Sequence, residues 1–146
     1  TLTGRAGTGK TLCAIAAGLA QVIDQSNSVY KHLIVSRPIQ PMGKDIGFLP
    51  GSMEDKMMPW LSPVKDNLKY LLGNNQETLN MYISQGIIEI EALTYIRGRS
   101  ISNAYMIIDE AQNLTAHELK TIITRVGENT KIILKKSTIL ILIVMQ

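Results

Sequence analysis

Near its start the chain reads Gly4-Arg5-Ala6-Gly7-Thr8-Gly9-Lys10-Thr11, which meets every fixed position of G-x-x-x-x-G-K-[ST]. No other stretch constrains the fold as tightly, because this pattern works only where a strand hands over to a helix. Its glycines let the backbone wrap closely around phosphate oxygens, with amide N–H groups turned inward. The helix that follows adds the partial positive charge of its N-terminus. In such a cradle Lys10 bridges the outer phosphates and the Thr11 hydroxyl ligates Mg²⁺. The flanks agree: Thr1 to Thr3 read as a strand end. From Lys10 to Ile23, residues Leu12, Ile15, Ala16, Leu19, Val22 and Ile23 fall on one helical face. A glycine-rich turn with an incidental lysine would not need that junction.

Beyond the cradle, strands and helices alternate. His32 to Ser36 reads as a short apolar strand stopped by Pro38. Arg37 to Pro63 holds all five prolines together with Phe48 and Trp60, and reads as a long irregular loop. It is either a structural collar or a clamp for nucleic acid or another subunit. Helices are predicted at Val64 to Leu72 and Glu77 to Gln85, and strands at Ile87 to Ala92 and Tyr105 to Asp109. Thr115-Ala116-His117-Glu118 is a capping box opening a helix that Gly127 closes. Lys131 to Leu134 reads as a further strand. This alternation predicts a three-layer α/β domain with a mainly parallel sheet.

A phosphate cradle that supports hydrolysis needs a second site for metal and water. Ile107-Ile108-Asp109-Glu110 offers one, because Asp109 ends an apolar strand where ligands collect at the carboxyl edge of a parallel sheet. Asp109 is the expected metal partner, and Glu110 the group that orients and activates water. An ordinary strand-to-loop turn with solvated carboxylates is the plain alternative. Two predicted strands lie between Lys10 and Asp109. That spacing favours the helicase- and ATPase-like branch of P-loop proteins over a kinase-like arrangement.

Composition sets broader bounds. A net charge of +3 permits a polyanionic partner without demanding one. The single cysteine, Cys13, cannot form an intrachain disulfide and is expected in the core. The longest apolar run, Ile139 to Met145, is far short of the ~20 residues of a membrane helix. A cytoplasmic protein with no membrane partner is expected. His32 and His117 lack metal-ligand spacing.

The segments GRAGTGKT, VSRPIQPMGKDIGFLPGSMEDKMMPWLSPVKDNL and TYIRGRSISNAYMIIDEAQNLTAHELKTIITRVGENTKIIL together resemble the PhoH family of ATPases over residues 1 to 134. The resemblance implies a P-loop domain of the RecA/helicase-like branch, incomplete at both ends, with ATP and Mg²⁺ as ligands and RNA as a partner. It makes Asp109-Glu110-Ala111-Gln112 a DEAQ-type motif in which Gln112 senses the γ-phosphate or the attacking water. It also makes a ring or other homo-oligomer a reasonable expectation. Arginines pair well with phosphate. Arg97 and Arg99 are therefore candidates for an RNA backbone, and Arg125 or Arg97 for an arginine finger. Solvated surface, and for Arg125 a helix C-terminus, are the plain alternatives.

After Leu134 the family pattern calls for a T-G-D-x-x-Q segment beside the γ-phosphate, but the chain continues Lys135-Lys136-Ser137-Thr138 and then ILILIVMQ. Residues 135 to 146 are accordingly read as an atypical apolar tail that adds a strand of high β propensity. Three functions follow as expectations. The first is an ATPase, the second a nucleotide-binding module with little or no turnover, and the third an RNA-binding module.

Overall fold

Apolar strands alternating with one-sided helices fold by stacking helices on both faces of a shared sheet, and the computed structural model shows this result. It describes residues 2–3, 9–24, 26–38, 53–96, 100–137 and 139–145. In chain order the elements are Leu2–Thr3 (β1), Lys10–Ile23 (α1), His32–Arg37 (β2), Met53–Leu71 (α2), Gln76–Ser84 (α3), Ile88–Ala92 (β3), Leu93–Ile96 (α4) and Ala104–Ile108 (β4). A 3-10 turn at Ala111–Asn113 follows, then Ala116–Arg125 (α5), Thr130–Lys135 (β5) and Ile139–Met145 (β6).

The strands form one sheet in the order β1-β6-β5-β4-β2-β3. β2 runs parallel to β3 and β4, and β4 parallel to β5. β6 is antiparallel to both β5 and β1, so β1 points the same way as the parallel strands. Side chains alternate across the sheet. Leu33, Val35, Tyr105, Ile107 and Ile133 pack on one face with residues of α1, α2 and α3. Ile34, Met106, Ile108, Ile132 and Leu134 pack on the other with residues of α4 and α5. β4 is buried along its whole length, as a central strand covered on both faces must be.

Several local signals act as expected. Thr115 caps α5 with both bonds of the capping box. Its hydroxyl accepts from the Glu118 N–H at 3.1 Å, and Glu118 accepts from the Thr115 N–H at 2.9 Å. Asn75 caps α3 without a reciprocal bond, its side chain accepting from the N–H groups of Glu77 and Thr78. Each cap contributes about 1 kcal/mol. The run after residue 138 does join the sheet, as β6. Alternation leaves Leu142 and Val144 exposed there.

Other expectations are corrected. The proline-rich segment is not a loop to its end, because α2 begins at Met53 and runs through Pro59 and Pro63. Leu61, Val64 and Leu68 form a buried stripe on α2, while Pro63 faces out. Burying such side chains is worth about 1.5–3 kcal/mol each, which offsets the roughly 3 kcal/mol cost of an interior proline. Residues 39–52, with Phe48, and the side chain of Trp60 lie outside the described residues.

Cys13 is exposed rather than in the core. The buried stripe of α1 runs instead through Ala14, Ile15, Gly18, Leu19 and Val22, leaving Ile23 outside it. Gly127 does not cap α5 in a left-handed turn. Val126 ends the helix in extended conformation, and Gly127 is small because a Cβ would lie 3.2 Å from the Ile101 carbonyl. Among the described residues no helix is long and apolar enough to cross a membrane.

Candidate nucleotide site at the carboxyl edge of the sheet

β2 and β4 are neighbours, yet the elements that follow them go to opposite faces. α2 packs with the first core cluster and α5 with the second. At such a reversal open parallel sheets bind ligands outside the carboxyl ends of the strands. Register defines what stands at that edge. Ser36 pairs with Ile108 and Ile108 with Leu134. The next residue on each strand is charged: Arg37, Asp109 and Lys135. By alternation they follow Val35, Ile107 and Ile133 on the face covered by α1.

These side chains form a compact cluster. Lys135 Nζ lies 2.9 Å from Asp109 Oδ1 and 3.2 Å from Glu110 Oε1, and Arg37 approaches Glu110 Oε1 at 3.9 Å. The Lys135 and Asp109 side chains are only 13% and 8% exposed, so their attraction is weakly screened. The Asp109 backbone is tied to β2 by its N–H donating to the Ser36 carbonyl at 2.9 Å. Asp109 Oδ1 also accepts the Glu110 N–H at 3.0 Å.

Glu110 itself holds a left-handed backbone, φ 54 and ψ 38, which is uncommon outside glycine. The bend turns its side chain back over the cluster, where Gln112 Nε2 donates to Oε2. Gln112 is otherwise exposed and ends up beside the acidic pair.

Burial pushes the Glu110 carboxyl upward. Hydrogen bonds from Gln112 and Lys135, with the charges of Lys135 and Arg37, outweigh it and hold the carboxyl below its usual range. Burial likewise disfavours the Lys135 ammonium, but its bonds and attraction to Asp109 and Glu110 raise it above the usual lysine range. A lowered carboxyl stabilises the fold above the ordinary carboxyl range and loses that contribution as pH falls through the lowered value. A raised lysine contributes below its ordinary range and loses its contribution as pH rises through the raised value. Melting temperature should therefore carry a plateau between these limits. The gap between parent and Glu110→Gln should be constant at neutral pH and close in acid, as followed by thermal melts across pH.

Because β1 runs parallel to β4, it ends at the same carboxyl edge as Asp109. Gly4, Arg5, Ala6, Gly7 and Thr8 lie outside the described residues, as do Arg97 and Arg99. Gly9 is described: its φ of 76 is left-handed, a conformation that favours glycine, and it caps α1. Lys10 is buried and Thr11 half-buried in the first turn of that helix. Arg125 is exposed at the far end of α5, where its carbonyl accepts the Ile101 N–H ahead of β4. It is therefore at the amino edge, and the structure does not bring it to the acidic pair.

Thr11 and Asp109 offer oxygen donors, the ligand class that Mg²⁺ takes, so their chemistry fits that ion. Sequence reasoning missed Lys135 as part of the site. The signal was available: Lys135 follows an apolar strand just as Asp109 does, and parallel neighbours end at one edge.

The sequence carries the same identity as the geometry. The family described as "PhoH-like protein" matches residues 1–141, past Leu134. "Protein PhoH2" of Bacillus subtilis (strain 168) is 57% identical over 136 residues, covering 92% of this chain and 30% of the relative. "PhoH-like protein" of the same organism is 40% identical over 131 residues, covering 90% of this chain and 40% of the relative. "Protein PhoH2" of Mycolicibacterium smegmatis is 39% identical over 134 residues, covering 91% and 30%. The chain thus spans well under half the length of these relatives. With a match across most of its residues and a mainly parallel sheet covered on both faces, the chain belongs to the PhoH-like protein family.

Proposed function

We propose that the chain binds ATP and hydrolyses it with Mg²⁺, coupled to RNA. The observation that carries this reading is topological: the Gly9-Lys10-Thr11 helix start and the Asp109-Glu110 pair share one carboxyl edge. Gly9 and the first turn of α1 present N–H groups and a helix N-terminus to phosphate. Lys10 supplies positive charge to the outer phosphates. Thr11 and Asp109 are the residues that would hold Mg²⁺, which supplies charge neutralisation at the phosphoryl oxygens. Glu110 orients the attacking water and accepts its proton, and Gln112 fixes the Glu110 carboxylate through its side-chain amide. RNA and further copies of the chain are the proposed partners. Their support is the resemblance of residues 1 to 134 to an ATPase family some of whose members act on RNA.

A second reading has a specific observation behind it. Lys135 is seated on both carboxylates, which favours nucleotide binding with slow turnover. The experiment that separates the two measures ATP affinity and phosphate release on one sample, with and without RNA. Phosphate release that depends on Mg²⁺ and vanishes in Lys10→Ala supports the ATPase. Tight binding without release supports the binding module, and no ATP binding at all removes both.

A further inference from the structure

Lys135 is the one cation in contact with both members of the acidic pair among the contacts described, and its seat is built rather than incidental. It ends β5 in register beside Asp109, on the face that α1 covers. Its ammonium lies 2.9 Å from Asp109 Oδ1 and 3.2 Å from Glu110 Oε1, with most of the side chain out of solvent. Arg37 adds a second positive charge from the other side of Glu110, at 3.9 Å. Among the described residues, the two carboxylates contact one lysine and one arginine. A divalent cation entering this cluster would face a nearby ammonium across a poorly screened gap. Lys136 and Ser137, which follow it, are exposed at the turn into β6.

We propose that Lys135 and a divalent cation compete for the Asp109 carboxylate, so that the lysine is a built-in counter-cation that metal must displace. This rests on Asp109 being the metal-facing carboxylate. The lysine thereby holds the carboxylates in place without metal, and it raises the metal concentration needed to load the site. Nucleotide phosphates entering beside it would bring negative charge and ease the exchange.

The test is Mn²⁺ binding to the full chain without nucleotide, followed by the loss of the free-ion electron paramagnetic resonance signal. Lys135→Gln should bind Mn²⁺ about tenfold more tightly or better, the scale expected for one removed charge contact. Lys135→Arg, which keeps the charge, should stay as weak as the parent. Equal affinity in the parent and Lys135→Gln overturns the competition, and so does Lys135→Arg binding as tightly as Lys135→Gln. Binding by none of the three removes the metal-facing reading of Asp109 along with it. A measurement on the unaltered chain stands independently of how the variants fold. Mg²⁺ should raise the acetylation rate of Lys135 relative to Lys136, read by mass spectrometry, and an unchanged ratio overturns the proposal.

Discussion

Glu110→Gln should lower ATP turnover by about 10²–10⁴-fold relative to the parent chain while leaving ATP affinity within a few-fold. The substitution is nearly isosteric, and it removes the charge and the basicity together. An amide cannot take a proton from water, so the loss falls on the chemical step. At about 1.4 kcal/mol per tenfold this is roughly 3–5 kcal/mol of transition-state stabilisation. The site should otherwise hold its shape. Lys135 keeps its 2.9 Å contact with Asp109, and glutamine has the same length and branching to sit at the left-handed residue 110. Phosphate release under saturating ATP, with affinity measured separately, decides the matter. Normal turnover in Glu110→Gln would sink its assignment as the base.

The second large effect concerns Gly18. A Cβ there would lie 2.7 Å from Tyr105 Cδ1 and 2.8 Å from Leu33 Cδ1, closer than such atoms can pack. Neither neighbour can yield easily. Leu33 is fully buried, and Tyr105 is 3% exposed. The Tyr105 ring stands edge-to-face on Tyr30 at 5.8 Å, with the Lys131 ammonium over both rings. Gly18→Val should therefore destabilise the domain toward the upper end of about 1–3 kcal/mol, the usual cost of overpacking. Gly18→Ala should cost less, because alanine gains about 1 kcal/mol in helix propensity. Denaturant unfolding of both variants measures the difference. If Gly18→Val were as stable as the parent, α1 could not sit this close to the sheet. Because α1 carries Lys10 and Thr11, the valine variant should also bind nucleotide more weakly.

Much of this arrangement was legible in the chain. The helix start at Lys10, the apolar run before Asp109 and the capping box at Thr115 each encode a local geometry. Local geometry depends on neighbouring residues, so it can be read in sequence order. Where tertiary packing competes with local preference, reading failed. Pro59 and Pro63 argue against a helix, but the buried stripe of Leu61, Val64 and Leu68 makes one. Cys13 looked apolar enough for the core, but the stripe of α1 that meets the sheet is rotated away from it. Gly127 looked like a helix cap, and it serves a close approach to Ile101 instead.

What the sequence determined by itself was the family and the α/β class, since these rest on motifs and periodicity. The tertiary structure alone decided what surrounds the carboxylates. Register between β4 and β5 puts Lys135 beside Asp109 although 25 residues separate it from Glu110. It also decided that β6 lies between β5 and β1, which sets the strand bearing the cradle one place further from the acidic pair. Strand order and register come from long-range pairing across the sheet, and no local pattern of residues records them.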